Sequence, residues 1–247
     1  MTVKAILVAG GHGSRLYPFT HYTQKTLLPL HNRPVIDYAL GTIRRAGIKD
    51  ITIISNQFVG QIASHVGQGL PGERIHYVIE EEPLGVAHAL NLARPYNEDA
   101  RLMVYFSDNI TTIEFGKHVK AFTEADEPPG CLLIAREEEH PEAFGVAVFD
   151  EHGALTDVEE KPSAPSSNMA IGGIYLFDER FWTFLDAEEK KSDAFSISDV
   201  NRAYIKQGDA QLISIGQETW VDCGTPDSLL QASQMAKDGK LDPTPHR

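Results

Sequence analysis

The feature that most constrains this chain lies at its start. Residues 3–9 (VKAILVA) are a nearly continuous apolar run, closed at once by Gly10-Gly11-His12-Gly13-Ser14-Arg15-Leu16. A short segment that is apolar on both faces fits a parallel strand covered on both sides. Glycines directly after such a strand let the backbone approach an anion, and their N–H groups can cradle phosphate oxygens. The downstream pattern agrees. Residues 34–46 open on a proline, carry apolar positions at helical spacing and stop at Gly47, which predicts a helix. Strands are predicted at 50–55, 74–79 and 102–106, with a helix at 85–94 between the last two. This alternation implies βαβ units and a mostly parallel central sheet flanked by helices, an α/β fold. The second half reads as richer in strands, at 131–136, 145–149, 155–159, 170–177 and 211–215. Glu151-His152-Gly153 forms a turn between two of them. Helices are predicted at 181–185, 198–206 and 226–237, followed by a polar tail, 238–247. One domain spanning 1–237 is expected, with a smaller β-rich portion at about 131–222.

Composition narrows the function classes. The 247 residues include 22 Lys and Arg against 35 Asp and Glu, a formal charge of −13, and nothing basic is clustered. That excludes a general nucleic-acid-binding face, but leaves room for small phosphorylated ligands held by a few focused cations. No apolar run approaches the roughly 20 residues of a membrane helix. The opening segment reads as a strand rather than a targeting signal. Cys131 and Cys223 match no metal spacing, and a reduced, cytoplasmic chain is expected.

The glycine turn fits two familiar phosphate loops poorly. A Walker loop needs Gly-Lys-Ser/Thr, yet Gly13 is followed by Ser14-Arg15. A dinucleotide fingerprint needs a glycine at position 16, which is Leu16; this disfavours a Rossmann-type oxidoreductase. The longer run GGHGSRLYPFT…QKTLLPL resembles the signature of the sugar-1-phosphate nucleotidyltransferases, especially glucose-1-phosphate thymidylyltransferases. The resemblance continues through Pro83-Leu84-Gly85, Ser107-Asp108-Asn109, Phe144-Gly145-Val146, Glu160-Lys161-Pro162 and Trp220-Val221-Asp222-Cys223-Gly224-Thr225.

The resemblance implies a Rossmann-like nucleotidyltransferase fold. It also implies a reaction in which a sugar phosphate oxygen attacks the α-phosphorus of a nucleoside triphosphate and pyrophosphate leaves. Such chemistry needs cations and positioning more than a covalent intermediate. Arg15 and Lys25 are the candidate cations for the triphosphate and departing pyrophosphate, and Lys161 for the sugar phosphate. Gly10, Gly11, Gly13, Glu80, Pro83, Gly85 and Asp108 are the implied nucleotide contacts. Gly145, Glu160, Lys161 and Gly173 are the implied sugar contacts, and Asp108 and Asp222 the implied Mg²⁺ ligands. Magnesium suits one or two carboxylates completed by phosphate oxygens and water. His12 reads as a tolerated loop residue and Cys223 as a small buried one.

Several positions depart from the thymidylyltransferase pattern. Glu80 stands where a Gln is expected. A Gln amide both donates and accepts, suiting thymine or uracil; an ionised carboxylate only accepts and suits guanine. The surrounding Leu84–Ala89 run nonetheless favours dTTP or UTP. Gly172, Ser107 and Ser196 replace other residues of the pattern and suggest an altered sugar site. The longer thymidylyltransferases continue into extra helices that help form a tetramer and a second nucleotide site; only about two dozen residues follow Asp222 here, so the resemblance implies a monomer or homodimer without such a site. Two competing classes remain: a catalytically silent nucleotide-binding relative, and a glycosyltransferase, which would need an Asp-x-Asp that Ser107-Asp108-Asn109 matches only in part.

Overall fold

The computed structural model describes residues 2–191 and 195–243. The strands are β1 (Val3–Val8), β2 (Pro29–Leu30), β3 (Arg33–Pro34), β4 (Asp50–Ser55), β5 (Arg74–Ile79), β6 (Arg101–Phe106), β7 (Asn109–Thr111), β8 (Cys131–Glu137), β9 (Gly145–Phe149), β10 (Leu155–Glu160), β11 (Met169–Phe177), β12 (Ala210–Ser214) and β13 (Trp220–Asp222). The helices are α1 (Val35–Arg45), α2 (Val59–Val66), α3 (Val86–Asn97), α4 (Gly116–Glu124), α5 (Phe181–Glu189), α6 (Ile197–Lys206) and α7 (Pro226–Lys237).

Nine strands form the central sheet in the order β10-β9-β11-β6-β1-β4-β5, with β8 against β11 and β12 against β8. The β6-β1-β4-β5 half is wholly parallel, as the alternating pattern predicts. Strand β11 joins it antiparallel on β6, and β10 joins β9 antiparallel through the expected turn. Along β1, Ala5 and Leu7 pack into one core while Ile6 enters the other, which is why the strand is apolar throughout. Ile36, Leu40 and Ile43 of α1, Ile62 of α2 and Phe122 of α4 fill the first core; Leu90 of α3, Phe181 of α5 and Val200 and Tyr204 of α6 fill the second. Each fully buried side chain of this size contributes roughly 1.5–3 kcal/mol. Among the described residues, no helix is long and apolar enough to cross a membrane.

Four features differ from the sequence reading. Helices α2 and α4 were not expected: both are short, and they reach the core through few residues, Ile62 and Val66 in α2 and Val119 and Phe122 in α4. Strands β7 and β13 pair through Asn109↔Asp222 and Trp220↔Thr111, a long-range ribbon with no local signature. Helix α3 runs past Pro95 to Asn97, because the ring forfeits one backbone bond only in the closing turn. The tail is not uniformly polar: Leu241 is buried with Leu30, Tyr38 and Ala232, and Asp242 accepts a hydrogen bond from Arg45. Residues 244–247 of the predicted tail lie outside the described residues.

The chain leaves β1 toward β4 and β5, then returns to the other side of β1 with β6. A reversal of this kind opens a crevice beyond the carboxyl ends of the strands. The glycine loop follows β1 there, and Asp108 follows β6.

Candidate active site

Side-chain amides hold the glycine loop open from behind. Gln24 donates to the Ala9 carbonyl, and Asn56 Nδ2 to the Gly10 carbonyl at 3.1 Å. Gly13 has φ +62° and tight neighbours: a Cβ there would lie 3.0 Å from both Lys25 Cβ and Thr20 Cγ2. The left-handed backbone and the lack of space both call for glycine. Its carbonyl accepts from Thr20 Oγ1 at 2.8 Å, fixing the turn that delivers Arg15 and Lys25.

Two clefts meet at this loop. One, about 240 Å³, is walled by Gly10, Gly11, Lys25, Glu80, Pro83 and Gly85. The other, about 460 Å³, is walled by Arg15, Gly145, Glu160, Lys161, Gly173 and Asp222. Phe106 and Asp108 belong to both. Every candidate residue from the sequence therefore lines one of the two clefts, except Gly13, which shapes the loop between them.

Asp108 and Lys25 are ion-paired, and both are largely buried. Asp222 is brought beside them by the β7–β13 ribbon, and the Cys223 N–H bonds the Asp108 carbonyl at 2.8 Å. Burial pushes the Asp222 carboxyl above the usual range; the Asp108 charge adds to this, while Lys25 and Arg15 oppose it. Arg15 crosses Gly224, where a Cβ would lie 2.5 Å from Arg15 Nη2. Among the described residues no group of three or more His, Cys, Asp or Glu encloses a metal. Two neighbouring carboxylates nonetheless suit a magnesium ion completed by phosphate oxygens. Asp222 Oδ1 is buried without a partner, as a ligand atom would be.

In the larger cleft Glu160 Oε2 accepts from Ser198 Oγ at 2.6 Å, and Lys161 Nζ lies 3.5 Å from Glu160 Oε1. Lys161 has φ +45°, an uncommon conformation for a side-chain-bearing residue. Its N–H bonds the Phe144 carbonyl, and its side chain stays exposed at the cleft rim.

The sequence reading missed Asn109. Its Oδ1 accepts from Trp220 Nε1 at 2.7 Å and from the Gly173 N–H at 3.1 Å. Its Nδ2 donates to Asp108 Oδ1 at 3.0 Å and to the Phe106 carbonyl at 3.1 Å. One amide thus orients the shared carboxylate and both cleft walls. Its adjacency to Asp108 was the only signal available. Three departures take on different meanings. Ser107 is buried and donates to the Val8 carbonyl, away from the sugar side. Ser196 caps α6 with Asp199, and Ser198, not Ser196, reaches the cleft. A Cβ at Gly172 would meet the Trp220 ring at 3.4 Å, so that glycine seats the indole against β11. Cys223 is buried and its thiol is pushed up by burial, consistent with a packing role.

The sequence model described as Nucleotidyl transferase matches residues 4–239. The chain belongs to the nucleotidyl transferase family. It is 35% identical over 237 residues to the glucose-1-phosphate thymidylyltransferase of Xanthomonas campestris pv. campestris, covering 93% of this chain and 79% of that one. It is 32% identical over 241 residues to the low-salt glycan biosynthesis nucleotidyltransferase Agl11 of Haloferax volcanii, covering 96% and 67%. A crystal structure from Bacillus anthracis, assigned as a glucose-1-phosphate thymidylyltransferase and determined with sucrose, superposes with a TM-score of 0.89. It shares 32% identity and covers 96% of each chain. The protein is accordingly a nucleotidyltransferase enzyme acting on sugar 1-phosphates, with the expected fold.

Proposed function

We propose that the enzyme transfers the thymidylyl group of dTTP to glucose 1-phosphate, giving a nucleotide sugar and pyrophosphate. The observation that carries this reading is the meeting of two clefts at Asp108. The smaller cleft, with its glycine loop and Lys25, takes the nucleotide; the larger, with Glu160 and Lys161, takes the sugar phosphate. Residues 131–222 supply most of the sugar side, and the nucleotide side is built from the first half, within one domain spanning 1–237. The amides of Gly10 and Gly11 meet the triphosphate, and Gly13 holds the turn. Pro83 and Gly85 border the base. Arg15 and Lys25 balance the charge that accumulates on the departing pyrophosphate, where preorganised cations act most strongly. Lys161 anchors the sugar phosphate, and Glu160, held by Ser198, accepts from sugar hydroxyls. Gly145 and Gly173 leave room for the ring. Positioning two polyanions in line is the main task of these side chains.

Asp108 and Asp222 would hold the magnesium ion. When bound, it withdraws charge from the phosphate oxygens and screens the two substrates from each other. The proposed location is cytoplasmic, with a monomer or homodimer as the working unit.

The test is pyrophosphate release from glucose 1-phosphate with dTTP, UTP, GTP, CTP or ATP, with and without Mg²⁺. Release with dTTP that is lost on chelation, restored by Mg²⁺ and absent in Asp108→Asn supports the reading. Activity with another nucleotide or sugar phosphate alone would retain the reaction and replace the substrate. A protein that binds nucleotide but never releases pyrophosphate would refute the reaction.

A further inference from the structure

Lys25 opens a one-turn 3₁₀ helix, Lys25–Leu27, whose start is pinned to the glycine loop by the Gln24 amide on the Ala9 carbonyl. Its stem lies on the loop itself. A Cβ at Gly13 would meet Lys25 Cδ at 3.4 Å, and one at Gly11 would meet Nζ at 3.6 Å. The ammonium ends on Asp108 Oδ2, and both residues wall the smaller cleft. It therefore sits between the backbone that would cradle a phosphate and the carboxylate that would hold a metal. Among the described residues, it donates to Asp108 alone.

The two carboxylates are unequal. Asp108 has both oxygens engaged, Oδ2 by Lys25 and Oδ1 by Asn109 Nδ2 at 3.0 Å. Asp222 Oδ1 is buried with no partner. A Cβ on Gly224 would lie 2.5 Å from Arg15 Nη2 and 2.7 Å from Asp222 Oδ1, so a second cation stands close by. A divalent ion entering here would face the Lys25 ammonium on the same carboxylate. Like charges at that range repel strongly where little water separates them. The ammonium must move off before a metal can take Asp108. Lysine suits such a move: it is a point charge on a flexible stem, with three donors of which Asp108 uses one. A triphosphate along Gly10 and Gly11 would offer new acceptors beside Nζ, and negative charge to balance both the metal and the ammonium.

We infer that Lys25 is an exchangeable counter-ion: it withholds Asp108 from the metal until a triphosphate draws its ammonium onto the glycine loop, so that magnesium and nucleotide are taken together and the metal alone is held weakly. The inference rests on the proposed metal site and on a triphosphate lying in the smaller cleft. While the ion pair persists, only a minor fraction of the enzyme has Asp108 free to ligate, and the apparent metal affinity falls by that fraction. The coupling is mutual: whatever factor the nucleotide adds to metal affinity, the metal adds to nucleotide affinity. Asn109 exerts no such control, because its amide is neutral and leaves Oδ1 a second lone pair.

Binding of a metal alone tests this. Mn²⁺ takes the same carboxylate and water oxygens as Mg²⁺, and its free concentration can be read by electron paramagnetic resonance in protein without nucleotide. Lys25→Met should bind Mn²⁺ about tenfold or more tightly than wild type, within the usual range of coupling between sites. Lys161→Met removes an equal charge from the rim of the other cleft and should change the affinity less than about threefold, because an exposed charge is screened. Asp108→Asn should lose the binding. In wild type, Mg²⁺ alone should release the Lys25 amine and raise its rate of acylation relative to Lys161, followed by mass spectrometry. If Lys25→Met does not fold, this wild-type measurement decides. An unchanged affinity in Lys25→Met, an equal gain in Lys161→Met, or Lys25 acylation indifferent to saturating Mg²⁺ would each overturn the inference. Loss of Mn²⁺ in Asp108→Asn without a gain in Lys25→Met would remove the inference and keep the proposed metal site. Mn²⁺ binding left intact by Asp108→Asn would remove that site as well.

Discussion

Replacing Asn109 with Ala removes the amide that joins the two clefts. The loss can be worked from its hydrogen bonds. Trp220 Nε1 and the Gly173 N–H both end on Asn109 Oδ1, and the residue is 4% exposed. Each buried donor left without an acceptor costs about 1–3 kcal/mol, so two amount to about 2–6 kcal/mol. Water entering from the adjoining cleft recovers part of this, leaving about 2–4 kcal/mol. For a chain of this size each kcal/mol lowers the melting temperature by about 2–4 °C, which gives a fall of about 4–16 °C. Asp108 also loses the donor that orients it, so kcat should fall more than the nucleotide KM rises. Thermal unfolding and steady-state pyrophosphate release measure the two effects separately. Asn109→Asp separates the two halves of the amide. It keeps the acceptor for Trp220 and Gly173, but sets a second carboxylate beside Asp108. That variant should recover most of the stability and little of the activity. A melting temperature within about 2 °C of wild type in Asn109→Ala, with unchanged kcat, would refute the assignment of Asn109 as the hub.

Three further outcomes follow from the same geometry. Lys161→Ala should raise the KM for the sugar phosphate about tenfold or more, through loss of a charge-assisted contact, while the dTTP dissociation constant from calorimetry stays within about twofold. Ser198→Ala frees Glu160 Oε2 and should weaken sugar binding by about 1 kcal/mol, roughly fivefold in KM, with Tm little changed. Burial raises the Glu73 carboxyl, but hydrogen bonds from Arg44 and the Leu70 N–H outweigh it and hold the group below the usual range. A depressed carboxylate stabilises the fold above its unfolded value and loses that contribution as pH falls through its folded value. Denaturant unfolding at several pH values below about 5 should therefore show a shallower acid loss in Glu73→Gln than in wild type.

The chain's pattern made much of the fold legible. The apolar run of β1 and the alternating segments after it specify a parallel sheet covered on both faces, because only that arrangement buries both sides of such strands. Helices with a broad apolar face, such as α1, were readable for the same reason. Helix α4 was not, since its contact with the core rests on Val119 and Phe122 within nine residues. The candidate residues were legible through the resemblance to the sugar-1-phosphate nucleotidyltransferases, whose ordered motifs carry the glycines, cations and carboxylates that phosphate chemistry uses. Asn109 and Ser198 were not, because each acts through a partner distant in sequence, Trp220 in one case and Glu160 in the other.

Sequence by itself determined the α/β class, the glycine loop after the first strand, and the set of charged groups around it. The first two follow from local periodicity and side-chain chemistry, which need no knowledge of neighbours; the charged groups were marked by the resemblance to the family's motifs. Only the tertiary structure decided how those groups are arranged. The β7–β13 ribbon brings Asp222 to Asp108, and the reversal of strand order at β1 sets two clefts against one carboxylate. The same packing decided the character of Glu80. As a letter in the sequence it is an acidic residue; in the fold its carboxyl lies against the Gly10 backbone, and burial pushes it above the usual range while His88 and His12 oppose that.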